Sequence, residues 1–124
     1  MLNLARDSTS PLALILVGQT ELWDRLSLHA SAAIRQRIDI PCRVPYLDRA
    51  QTAADVQAHL TYAGTGTDHA LFSDSALDAL DRYSSGAARL IHKAATHALL
   101  DGAQNGHRVL DDAVVTRVIQ GELA

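Results

Sequence analysis

The pattern of apolar and polar positions changes character near Pro45. Upstream, Leu12-Ala-Leu-Ile-Leu-Val17 is an unbroken apolar run closed by Gly18. Such a run predicts a short strand buried on both faces, as in a parallel sheet. Ile38-Asp-Ile-Pro-Cys-Arg-Val44 alternates apolar and polar residues. It predicts a second short strand, which Pro41 confines to a sheet edge or to a start after the proline. Between the two, Thr20 can cap a helix running through Leu26, and another short helix is expected from about Ala30 to Gln36. Residues 1–11 read as a polar lead-in with turn signals from Asp7 to Pro11.

Downstream the period becomes helical. Asp48 and Gln51 have capping-box spacing, and Gly64 is a natural stop for the helix they open. Gly64-Thr-Gly-Thr-Asp68 reads as a loop, after which Ser73 or Asp74 caps a helix with Leu77, Leu80 and Tyr83 on one face. The clearest amphipathic stretch follows Ser84-Ser-Gly86: Ala87, Leu90, Ile91, Ala94, Ala95, Ala98 and Leu99 keep helical spacing. Gly102 and Gly106 are expected to form a turn, and Asp111 or Asp112 to cap a last helix carrying Val114, Val115, Val118 and Ile119. The expected fold is mostly α. A four-helix portion over 46–124 follows a partial α/β segment over 1–45 with one or two strands.

Composition sharpens this picture. Of 124 residues 48% are hydrophobic but only 4% aromatic, so Leu, Ile, Val and many Ala fill the core, which favours closely packed helices. Eleven basic against fourteen acidic residues leave a net charge of -3, which argues against a dedicated nucleic-acid binder with a basic face. A single cysteine, Cys42, excludes an internal disulfide framework, and beside Pro41 it reads as a small packed residue rather than a nucleophile. The run Leu12–Val17 is far short of the roughly 20 residues of a membrane span, and no secretory signal is evident, so a cytoplasmic chain is expected.

Few residues point to chemistry. Gln19 directly follows the first predicted strand, where polar groups of open α/β sheets reach ligands; by position alone a turn or helix-capping glutamine is the plainer reading. Arg35 and Arg37 flank Gln36 and match phosphate geometry, although arginine at a solvated helix end is favoured by the dipole anyway. Arg89, in Gly86-Ala-Ala-Arg89, falls in the first turn of the strongest helix, where a cation meets the positive end of the macrodipole. An acidic neighbour or a bound anion is needed to offset that cost. Val109-Leu-Asp-Asp112 reads as an N-cap rather than a metal-binding strand. His92 and His97 are five apart and so on different helix faces; with His29, His59, His69 and His107 scattered, no metal cluster is expected.

Taken in order, Leu14-Ile-Leu-Val-Gly-Gln-Thr-Glu-Leu22, Ile34-Arg-Gln-Arg-Ile38, Val44-Pro-Tyr-Leu-Asp48 and Gly86-Ala-Ala-Arg-Leu-Ile91 resemble the latter half of an AAA+ ATPase. The resembled branch is that of ExeA-like secretion and TniB-like transposition helpers, and the match runs over nearly the whole chain. The resemblance implies that Gln19 ends the sensor-1 strand and helps orient the attacking water. It implies that Arg37, or failing it Arg35, is a finger reaching the neighbouring subunit's nucleotide. Gly86 and Arg89 would belong to sensor 2 of the helical lid, with Arg89 touching phosphate of its own subunit. Ala88 stands where proline is common and His92 where asparagine is common.

A phosphate-cradling Gly-x-x-x-x-Gly-Lys-Ser/Thr is missing, and the only lysine, Lys93, lies inside a predicted helix. By resemblance, ATP and magnesium would be gripped by a missing N-terminal half, so the chain reads as a truncated gene product, a split subunit or an expressed fragment, inactive alone. The two predicted strands would then lack the strand between them, so 1–45 is expected to fray, rearrange, pair between chains or dock on a partner. Expected partners are that half or a neighbouring subunit, a homo-oligomer in the whole protein, and a secretion or transposition protein. A non-enzymatic helical interaction module is the alternative, with DNA the weaker partner choice given the acidic balance.

Overall fold

The computed structural model describes residues 12–66 and 70–123. The polar lead-in over 1–11 and residues 67–69, which include the end of the predicted 64–68 loop, lie outside the described residues. The chain divides into two compact units, Met1–Arg43 and Val44–Ala124. In order the helices are α1 (Thr20–Ser27), a 3-10 turn (His29–Ser31), α2 (Ala32–Arg35), α3 (Arg49–Tyr62), α4 (Asp74–Ser84), α5 (Ala88–Asn105) and α6 (Asp112–Glu122). The architecture is mostly α. Among the described residues no helix is long and apolar enough to cross a membrane.

In the second unit, α3 packs on α4 and α5, and α6 packs on the same two helices. The local signals for this arrangement sit in the caps. Asp48 and Gln51 form a reciprocal capping box, the Gln51 N–H donating to Asp48 Oδ1 at 2.8 Å and the Asp48 N–H to Gln51 Oε1 at 3.0 Å. Ser73 Oγ accepts from the Ala76 N–H at 3.2 Å, and Asp111 Oδ1 from the Val114 N–H at 3.0 Å. Each satisfies an otherwise orphaned first-turn donor.

The inward faces meet around Val56 and Leu60 of α3, Leu80 of α4, Ile91 of α5 and Val115 of α6. Leu80, Ile91 and Val115 are fully enclosed. Alanines 76, 79, 94, 95 and 98 let the helices approach closely, which is how a chain poor in aromatics reaches core density. Phe72 and Leu110, from the two long connections, close the core through a parallel bridge: Leu110 N–H donates to Leu71 O at 2.7 Å and Ser73 N–H to Leu110 O at 2.9 Å. Polar ties add to the packing. Thr52, wholly buried, donates to Asp81 Oδ1 at 3.1 Å, and ion pairs join Arg49 to Asp78 and Arg117 to Asp101.

The turn expected at Gly102 is corrected: α5 continues through it and ends at Gly106, whose φ of 71° is the left-handed conformation of a helix stop. Gly102 is buried inside the helix against Leu110, whose side chain occupies the space a Cβ would take. Glycine serves here as a packing notch.

The first unit departs further from expectation. Among the described residues neither predicted strand forms: 12–19 and 38–48 have no regular secondary structure and no β-pairing. Ile15 is 84% exposed and Val17 88%. A strand is stabilised by ladder bonds and by packing on both faces, and among the described residues no second strand supplies a ladder to 14–17. Thr20 is the first residue of α1 rather than its cap; Gln19 holds the cap position in extended backbone but makes no side-chain cap bond. Leu26 is the buried residue of α1, and the Arg35 and Arg43 guanidiniums lie 5.8 and 5.9 Å from the centre of the Trp23 ring. Cys42, expected to be packed, is exposed.

Candidate functional site

The sequence candidates fall into both units. In the first, Gln19 is exposed and its backbone carbonyl accepts from the Leu22 N–H at 2.9 Å. Arg35 ends α2, stacks its cation on Trp23 and borders a shallow hollow of about 460 Å³ beside Leu26 and Ala32. Arg37 lies in the turn beyond, its N–H donating to Ile34 O at 3.0 Å and its side chain exposed.

In the second unit Gly86 and Arg89 share one turn. Gly86 is buried with φ 79°, and a Cβ there would overlap the Leu47 backbone. The Leu47 N–H donates to Gly86 O at 2.9 Å. Only glycine combines that left-handed backbone with so close an approach. The bond fastens the segment that leads into α3 to the opening of α5.

That opening differs from those of α3, α4 and α6. Ala87 has no side chain with which to cap, and no acidic residue lies in the first turn of α5. Arg89 is exposed there and pairs with no carboxylate among the described residues. No carboxylate among the described residues therefore offsets the repulsion between its charge and the helix dipole. Backbone N–H groups and a guanidinium at one helix end form a donor set suited to phosphate or carboxylate oxygens and unsuited to a metal ion.

A second constellation went unseen in the sequence. His59 follows Asp55 by one turn on α3, and α5 carries His92 to the same place, so one ligand atom from each lies within 4.8 Å of the others. His92 Nε2 lies 2.7 Å from Asp55 Oδ2, and His59 Nδ1 lies 2.9 Å from the Asp55 carbonyl oxygen and 3.6 Å from Oδ1. The two imidazole centroids are 4.3 Å apart at 59°. His59 and His92 border a cleft of about 300 Å³ that is also lined by Val56, Leu60, Phe72 and Leu99. The expectation of scattered histidines is thus corrected for His59 and His92. The i, i+4 spacing of Asp55 and His59 was a legible signal; the arrival of His92 from another helix was not.

No family model, curated protein or solved structure matches the chain.

Proposed function

We propose that the chain is the sensor and lid portion of an AAA+ ATPase that couples ATP binding and hydrolysis to remodelling of a cytoplasmic secretion or DNA-transposition complex. The observation that carries this reading is the opening of α5: an uncapped helix end bearing an exposed arginine with no carboxylate partner among the described residues. The Gly86–Leu47 bond supports it, because it joins two of the segments on which the family resemblance rests.

In this reading Arg89 stabilises charge on phosphate of its own subunit, and Arg37 does so for a neighbouring subunit in a homo-oligomer. Arg35, already held over Trp23, is the second choice for the finger. Gln19 orients the attacking water. ATP and magnesium are gripped by the partner half that carries the phosphate loop, since the donors at α5 suit anionic oxygens and not the metal ion. The exposed apolar run Leu12–Val17 fits a strand that completes its sheet with that half. It equally favours the second reading, a non-enzymatic adaptor that docks a partner protein through the same run.

Titration of the 124-residue chain with ATP, followed by amide chemical shifts, tests the proposal. Weak binding should move the amides of Ala87 to Leu90 and vanish in Arg89→Ala, with no hydrolysis by the chain alone. Shifts confined to other helices, or indifferent to Arg89→Ala, contradict it and leave the adaptor reading.

A further inference from the structure

We propose that Asp55, His59 and His92 form a binding site for a divalent transition-metal ion of the zinc class, clamping α3 to α5. Two imidazoles and one carboxylate are a donor set that suits Zn²⁺ and its neighbours, whereas magnesium and calcium favour all-oxygen ligands. Three protein ligands leave a fourth tetrahedral position for water.

The geometry is close to what an ion needs. Donor atoms about 2.0–2.2 Å from zinc in a tetrahedron lie roughly 3.3–3.6 Å from one another. The three groups already lie within 4.8 Å, so small rotations of partly exposed side chains suffice, opening the 2.7 Å contact of His92 with Asp55 and drawing His59 in. Side-chain exposures of 61% for His59, 44% for His92 and 25% for Asp55 leave an entry path from solvent.

Support behind the ligands is also present. His59 Nδ1 lies 2.9 Å from the Asp55 carbonyl oxygen as well as 3.6 Å from Oδ1, so the backbone of α3 fixes the ring beside the carboxylate whichever nitrogen takes the ion. Metal-bound histidines are habitually oriented by such a bond to a backbone carbonyl. The apolar floor of the adjoining cleft limits solvent on one side of the ion. Asp55 and His59 are locked in register by their helix, while His92 lies 37 residues from Asp55 in sequence. An ion bound by all three therefore crosslinks two elements of the core and should stabilise the folded state by mass action. The site is independent of the nucleotide reading: none of its ligands is among the phosphate-facing candidates.

The test uses the full chain with Zn²⁺ alone, by calorimetric titration and by melting, and with Co²⁺ as a spectroscopic stand-in. The expected result is one ion per chain, a rise in Tm on adding Zn²⁺, and visible Co²⁺ bands of a tetrahedral site. His59→Gln and His92→Gln should each weaken binding by more than the roughly 10- to 100-fold that loss of an outer-shell partner costs. His29→Gln, in the other unit, should bind as the parent does. His59 is the most exposed ligand, so its variant keeps the test valid should the His92 variant fold poorly. Parent and His59→Gln chains with equal Zn²⁺ affinity and no Tm rise in either would overturn the proposal, leaving the trio as a hydrogen-bonded pin between helices.

Discussion

Residues 12–43 and 44–123 have similar apolar endowments but use them differently. In the second region the apolar positions recur at helical spacing, so each helix brings its own backbone bonds and needs only neighbouring stripes to bury against. Its core includes Leu80, Ile91 and Val115 at no measurable exposure. In the first region the apolar material is concentrated in a strand-type run, and a strand cannot satisfy its backbone by itself. Leu12, Leu14, Ile15, Leu16 and Val17 are accordingly 47–88% exposed. Hydrophobicity alone does not make a core; the backbone bonds must also be closed, within the segment as in a helix or by a paired strand.

Truncation at matched residues puts the largest strain on this contrast. Ile91→Ala should destabilise the second unit by about 2–5 kcal/mol, the usual cost of emptying an enclosed aliphatic site. Ile15→Ala, at 84% exposure, should change stability by no more than about 0.5 kcal/mol. Denaturant titration of both variants measures the difference, and equal losses would erase it. Next in size is Gly86→Ala, expected to cost about 1–3 kcal/mol from its left-handed backbone alone, with the displaced Leu47 adding to that. Loss of the capping box in Asp48→Ala should cost about 1 kcal/mol.

The smallest effect concerns pH. The Arg117 guanidinium, hydrogen-bonded to Asp101, holds that carboxyl below the ordinary range against the opposing pull of burial. A carboxyl whose pKa is lowered on folding adds stability above its unfolded value, about 3.9. That contribution disappears as pH falls through the lower folded value. Asp101→Asn should therefore lower Tm slightly near neutral pH and flatten the acid limb of the Tm profile. An unchanged acid limb in the variant would show that the Arg117 pair does not contribute there.

What the sequence reveals follows the same division. The four helices of the second unit were legible because their signals are local: Asp48 with Gln51, Ser73, Asp111, and a stripe from Ile91 to Ala98. Gly102 was misread because its role depends on Leu110, reached only after the chain reverses. The strands were misread because pairing is a property of two segments, and Leu12–Val17 has no second one among the described residues. Asp55 and His59 announced one helix face, but only the packing of α3 on α5 supplies His92. That Arg89 meets no carboxylate among the described residues likewise becomes visible only in three dimensions, although its position in a first turn is already anomalous in the sequence.

The central claim is that 44–124 is a self-sufficient fold and the region before it is not. Residue-resolved hydrogen exchange on two polypeptides, the full chain and 44–124 alone, tests it most directly. The account predicts slow exchange across the interiors of α3 to α6 in both, with near-unprotected amides over 12–18 in the full chain. Collapse of protection in α3 to α6 once residues 1–43 are removed, or strong protection over 12–18 in the isolated chain, would contradict it.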